Sequence, residues 1–144
     1  MYQVCIVDDE IKEIKSLKDS IFSFFKAKSL TVNVDKYDNP VSFLNNFEKS
    51  KYDLILLDIS MPQKNGIDVA RLIRKKDDMV KIIFTTSLIQ YAIKGYEVNA
   101  FDYLLKPISY SSFWLTMERL MKFISNDEFI IISKNKNTTI KIPI

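Results

Sequence analysis

The sequence has no histidine, and that absence alone closes several routes to function. It excludes a Ser-His-Asp or Cys-His hydrolase, a metal site built on imidazole, and a histidine phosphodonor. Glycine is scarce, at two residues, so there is no Gly-rich loop to cradle a phosphate. The single cysteine, Cys5, cannot form a disulfide within the chain, and between Val4 and Ile6-Val7 it reads as a small buried hydrophobe. Long apolar runs are missing too: none approaches the ~18 residues of a membrane span. Asp8, Asp9 and Glu10 cut the first apolar run after a few residues, which is unlike a secretory leader. The expectation is a cytoplasmic protein with no membrane partner. An excess of charge is also lacking, since 21 Lys+Arg against 18 Asp+Glu leaves +3, too little to argue for nucleic acid. What chemistry remains must run on carboxylates, hydroxyls and lysine.

What is present is a regular alternation. With 144 residues and 47% hydrophobic content, the chain suits one domain of ~120–125 residues plus a short extension, burying roughly two-thirds of its unfolded surface. Short apolar runs alternate five times with longer amphipathic segments, the pattern of a parallel sheet covered by helices on both faces. Strands are expected at Val4–Val7, Leu30–Lys36, Leu54–Leu57, Val80–Phe84 and Phe101–Leu105. Between them, Ile11, Ile14, Leu17, Ile21 and Phe25 recur at helical spacing. Asn39-Pro40 and Asn65-Gly66 open two further helices, the second with Val69, Leu72 and Ile73 inward. Ile89, Ala92, Ile93 and Tyr96 mark a short fourth helix. A fifth spans about Ser109 to Ile124, with Phe113, Met117, Leu120, Met121 and Ile124 on one face. The fold class is α/β: a flavodoxin-like, doubly wound, five-stranded parallel sheet in the order 2-1-3-4-5.

In such a sheet ligands bind beyond the carboxyl ends of the strands, at the point where the strand order reverses. Asp8 and Asp9 follow strand one, Asp58 follows strand three, Thr86 follows strand four and Lys106 closes strand five. All five therefore share one rim, with the three acids at the switch point. Three carboxylates in one pocket repel and ask for a cation. Oxygen-only ligands suit Mg²⁺, which keeps several waters and binds through one or two carboxylates plus a phosphate. With a lysine and a hydroxyl beside them, they are equipped for phosphoryl transfer, with the central carboxylate, Asp58, as nucleophile.

Four pieces of sequence then carry a resemblance: Val7-Asp8-Asp9-Glu10; Leu56-Leu57-Asp58-Ile59-Ser60-Met61-Pro62 with Asn65-Gly66-Ile67-Asp68; Phe84-Thr85-Thr86-Ser87; and Asp102-Tyr103-Leu104-Leu105-Lys106-Pro107-Ile108. In this order and at these spacings, residues 2–124 resemble the receiver domain of two-component response regulators. The resemblance implies that Asp58 accepts a phosphoryl group from a phosphohistidine on a sensor histidine kinase. It implies that Asp8 and Asp9 hold Mg²⁺, Asp9 more directly, with Asp58 and the backbone carbonyl of Ser60 as further ligands. Lys106 would pair with a phosphoryl oxygen, ahead of a cis peptide bond to Pro107. Thr86 and Tyr103 would form the switch, Thr86 moving to the phosphoryl group and Tyr103 swinging inward behind it. Ser87 stands where the family usually has alanine. No enzyme activity beyond autophosphatase is implied.

Tyr91-Ala92 and the Asp102–Pro107 wording are most similar to regulators of the LytTR type (LytR/AgrA-like). Phe129–Ser133 and Thr138–Ile142 read as two β-type runs joined by Lys134-Asn135-Lys136-Asn137, a hairpin resembling the opening of such a DNA-binding output domain. Residues 1–124 are thus expected to be the receiver domain. Residues 125–144 are expected to be a linker and the start of a truncated output domain, with DNA bound only through the part missing from this chain. A homodimer through the helix four–strand five–helix five face is the implied partner arrangement. Three alternatives remain at this stage. They are a phosphatase of the haloacid-dehalogenase type, a pseudo-receiver that works without phosphorylation, and a flavin-binding flavodoxin-like module. The phosphatase pattern wants a second Asp two residues after the first strand's nucleophile, and that place holds Glu10.

Overall fold

The structure is a computed structural model and describes residues 1–135. Five strands run parallel in the order β2-β1-β3-β4-β5: β1 Tyr2–Val7, β2 Val32–Tyr37, β3 Leu54–Asp58, β4 Lys81–Thr86 and β5 Asp102–Leu105. Four α-helices connect or flank them, α1 Ile11–Ala27, α2 Pro40–Asn46, α3 Gly66–Lys76 and α4 Tyr110–Asn135. A 3-10 helix, Ile89–Val98, takes the fourth helical position. Every residue of β3, Leu-Ile-Leu-Leu-Asp, is buried, as a central strand covered on both faces must be. β2 lies at the edge and buries its side chains only in part.

Alternation along the strands divides the core in two. Leu54, Leu56, Ile83 and Leu104 face α1 and α4, meeting Leu17, Ile21, Phe24, Phe113, Met117 and Leu120. Ile55, Leu57, Ile82 and Phe84 face the other way, toward Phe43, Val69, Ala70, Ile73 and Val98. Cys5 is fully buried on this second side, and burial pushes its thiol up to about 12, so it is the inert hydrophobe its neighbours suggest. At the start of α2, Asn39 Oδ1 accepts the Ser42 amide at 2.8 Å, with Pro40 at the first helical position. Asn65 does the same for α3, accepting from Ile67 at 2.7 Å.

Three expectations change. Ile11 does not join the inward stripe of α1; at the helix's first residue it is 74% exposed, beside the acidic rim. The segment after β4 is a 3-10 helix rather than an α-helix, so its ridges repeat every three residues. Gly95 and Val98 fall on the buried ridge, whereas Ile89, Ile93 and Tyr96 are exposed. Finally, α4 continues to Asn135 and takes in Phe129–Ser133, read above as a strand. No glycine or proline interrupts Ser109–Asn135, so a helix already under way meets no breaker. Thr138–Ile142 lies outside the described residues.

Candidate functional site

The rim at the carboxyl ends of the strands gathers the predicted side chains. β1 delivers Asp8, which is fully buried, and β3 delivers Asp58 at 2% exposure. From beyond β5, the Lys106 amine crosses β4 to reach both. Its Nζ lies 3.0 Å from Asp8 Oδ2 and 3.4 Å from Asp58 Oδ1. The Lys106–Pro107 peptide bond is cis, as expected. The second Asp8 oxygen, Oδ1, accepts the Glu10 amide at 2.9 Å. Both Asp8 oxygens are thus engaged, which leaves Asp9, exposed at the mouth, as the freer carboxylate.

Carboxylate oxygens of Asp8, Asp9 and Glu10 lie within 4.8 Å of one another. Glu10 also stands 4.0 Å from Lys106 Nζ. Its membership was missed from sequence, although the unbroken Asp-Asp-Glu run is a signal that could have shown it. Asp58 feels this crowding. Burial foremost, then the charge of Asp8, push its carboxyl up to about 7; Lys106 pulls the other way, and contact with the Asp9 carboxyl adds to the rise. Lys106 responds in kind: burial works to lower its ammonium's pKa, but the hydrogen bond to Asp8 and the charges of Asp58, Asp8 and Glu13 outweigh it and hold it above its ordinary value. One lysine is too little positive charge for this set of acids.

The residues fit a divalent cation. Asp58 Oδ2 is buried with no hydrogen-bond partner among the described residues, which costs about 1–3 kcal/mol unless something fills its lone pairs. The donors around it are all oxygen, the set a hard cation prefers. The Ser60 amide donates to Asp58 Oδ1 at 3.3 Å, so the Ser60 backbone lies beside the acceptor. Thr86 is 1% exposed at the end of β4, and its Oγ1 accepts the Leu88 amide at 3.0 Å, which closes a local turn. Its carbonyl accepts the Lys106 amide at 2.7 Å, tying the two strand ends together. Tyr103 is half-buried on β5, and lines a cleft of about 350 Å³ with Phe84, Ile93 and Tyr96. It therefore stands apart from the acids, on the opposite face of the sheet from Asp58.

A doubly wound 2-1-3-4-5 sheet, with buried acids at its switch point and a lysine reaching them from the last strand, defines a class of phosphate-handling α/β domains. Residues 4–118 match the family described as "Response regulator receiver domain", and the chain belongs to that family. It is similar to the sensory transduction protein LytT of Bacillus subtilis, at 31% identity over 122 residues, covering 85% of this chain and 49% of LytT. It is also similar to the transcriptional regulatory protein BtsR of Escherichia coli, at 31% identity over 143 residues, covering 99% of this chain and 58% of BtsR. The chain thus spans about half the length of the curated relatives it matches. Among solved structures, the response regulatory domain of protein mrkE from Klebsiella pneumoniae superposes with a TM-score of 0.73 at 26% identity, covering 86% of this chain and 98% of that one. The receiver domain of HemR from Leptospira biflexa gives 0.73 at 24% identity, a likeness of fold, over 83% and 94% of the two chains. None of these likenesses favours the phosphatase, flavin or phosphorylation-independent alternatives. No helix among the described residues is long and apolar enough to cross a membrane.

Proposed function

We propose that this receiver domain is a phosphorylation switch in which Asp58 takes a phosphoryl group from the phosphohistidine of a sensor kinase. The observation that carries the reading is the 3.4 Å approach of Lys106 to one Asp58 oxygen while the other is buried and unpartnered. One oxygen is thereby turned to the lysine, the other to the place a cation would occupy. Asp8, Asp9, Asp58 and the Ser60 carbonyl are the groups that would hold Mg²⁺. When bound, the ion supplies positive charge to the equatorial phosphoryl oxygens and to the crowded acids.

The chain's own residues do the rest. The Asp58 carboxylate attacks phosphorus in line; the P–N bond breaks and its electron pair returns to the kinase imidazole. Lys106 neutralises a phosphoryl oxygen as Asp8 holds its amine in place. The new group carries about −1.5 to −2 charges and three acceptor oxygens, and the Thr86 hydroxyl is the nearby donor. For Thr86 to reach it, the turn that Thr86 now closes with Leu88 must open. That movement disturbs the start of the 3-10 helix and frees room for Tyr103 to move along the 350 Å³ cleft. The switch thus biases an existing two-state equilibrium of the loop after β4.

The readout is the face made by the 3-10 helix, β5 and α4, where Ile93, Tyr96, Leu105, Leu115 and Phe123 are all exposed. Pairing of two copies through this face, and release of a LytTR-type DNA-binding domain beyond α4, would complete the signal. LytT, named as a sensory transduction protein, supports a signalling role, and BtsR, named as a transcriptional regulatory protein, supports a transcriptional output; a cytoplasmic location belongs to the same proposal. Incubation with acetyl phosphate and Mg²⁺, followed by mass mapping, should place one phosphoryl group on Asp58. Chelation of the metal should abolish it. A label that persists in Asp58→Asn would remove the reading.

A further inference from the structure

Two buried side-chain oxygens lack any hydrogen-bond partner among the described residues: Asp58 Oδ2 and Thr85 Oγ1. They belong to neighbours. In the β3–β4 ladder Asp58 pairs with Thr85, and in the β4–β5 ladder Thr85 pairs with Leu104. Paired residues of parallel strands project to the same side of a sheet. That is the side on which Ile83, two residues before Thr85, packs with Leu56 and Leu104. Thr86, one residue on, projects to the other side, so the two threonines cannot share a role. Thr85 is 1% exposed, so bulk solvent does not reach its hydroxyl. An unsatisfied buried hydroxyl costs about 1–3 kcal/mol, and valine would fill nearly the same space without that cost. Asp58 Oδ1, meanwhile, is held only by long contacts, 3.3 Å to the Ser60 amide and 3.4 Å to Lys106.

We propose that Thr85 is a positioning residue for the phosphoacceptor, its hydroxyl turning to donate to the Asp58 carboxylate on the β4 side, at Oδ1. Strands in a ladder lie about 4.8 Å apart, so one staggered rotamer of a threonine can bring its oxygen to a cross-strand carboxylate. This rests on the reading of Asp58 as phosphoacceptor and assigns part of that site's control to a residue outside it. The consequence is chemical. When the phosphorylated form hydrolyses, a water oxygen bonds to phosphorus and the P–Oδ1 bond breaks. Its electron pair stays on Oδ1, and the products are inorganic phosphate and the free carboxylate, the water's protons passing to phosphate and solvent. Negative charge therefore grows on Oδ1, and a preorganised donor there lowers the barrier to hydrolysis. Thr85 sets how fast Asp58 loses its phosphoryl group.

The test compares Thr85→Val, which keeps the shape, with Thr85→Ser, which keeps the hydroxyl. All proteins are labelled with acetyl phosphate and Mg²⁺, and loss of label after desalting is followed. Thr85→Val should hold its label about 5–10 times longer than wild type, the effect of one hydrogen bond to a developing charge. Thr85→Ser should return the label's lifetime to within about twofold of wild type, which a purely structural role would not require. Thr85→Ala, also without a hydroxyl, should follow the valine variant and stands in if valine fails to fold. A wild-type lifetime in both hydroxyl-free variants, or a serine variant as slow as valine, overturns the assignment. Absence of label on wild-type Asp58 is a different result, and it removes the phosphoacceptor reading and this assignment together.

Discussion

At the scale of single residues, a buried polar group supports the fold only where it finds partners, and Asp77 shows this. The carboxylate is 3% exposed at the end of α3. Its Oδ1 accepts the amides of Met79 and Val80 at 2.9 and 3.0 Å, and Oδ2 accepts the Ser50 amide at 2.9 Å. Burial alone would raise its pKa, but these three backbone donors and the charge of Arg74 outweigh burial and hold it below the ordinary carboxylate range. The sign follows: a depressed folded value contributes stability above the unfolded pKa of about 3.9, and that contribution is lost as the pH falls through the folded value. Asp77→Asn turns an amide NH₂ toward one of these backbone donors, and should lower stability at pH 7 by about 2–3 kcal/mol. In urea melts the gap between variant and wild type should narrow below about pH 4; a gap constant from pH 7 to pH 2.5 would contradict this account.

At the scale of elements, the position of Asp58 depends on how closely α3 approaches β3. Gly66 opens α3, and its amide donates to the Ile59 carbonyl at 2.8 Å. A Cβ on Gly66 would sit 2.2 Å from the Asp58 carbonyl oxygen and 2.8 Å from the Ile59 Cα, all of it backbone that cannot step aside. Gly66→Ala should therefore push the loop after β3 outward, cost about 2–4 kcal/mol, and reduce Asp58 labelling more than global unfolding explains. Normal labelling in a folded Gly66→Ala protein would show that the acceptor does not need this approach. The opposite end of α3 is held differently. Arg74 donates to four carbonyls, those of Asp77, Val80, Val98 and Asn99, at 2.6–3.2 Å. It thereby fastens α3 to the exit of the 3-10 helix, the element the switch is proposed to move, and leaves its other end, near Thr86, as the part free to shift.

At the scale of the whole molecule, the exposed apolar residues are unevenly placed. Ile89, Ile93 and Tyr96 of the 3-10 helix, Leu105 of β5, and Leu115 and Phe123 of α4 make one such face. Tyr96 is 88% exposed, and so open an aromatic beside other apolar groups is what the proposed pairing face rests on. Between them, Arg119 pairs with Asp102 across the α4–β5 boundary. Acetyl phosphate with Mg²⁺ should shift the protein toward twice its monomer mass in sedimentation, and Tyr96→Lys should remain monomeric while still accepting label. A labelled wild type that stays monomeric at tens of micromolar would rule out pairing of this chain as the readout.

The sequence by itself determined the layered architecture, because the apolar runs and helical stripes that specify it are local. It also determined which residues stand at the strand ends, since Asp8, Asp9, Asp58, Thr86 and Lys106 are found by where each run stops. Local pattern failed where context decided. The residues around Ile93 and Tyr96 have helical spacing, but a 3-10 period and an open face place them in solvent. The triple isoleucine at Ile130–Ile132 has strand propensity, but a helix with no breaker carried through it. Only the tertiary structure decided the partnerships: Lys106 with Asp8 and Asp58, and Thr85 facing Asp58. These rest on register between strands that are 27 to 98 residues apart in the chain, and register is set by the packing of both faces of the sheet at once, which no local pattern contains.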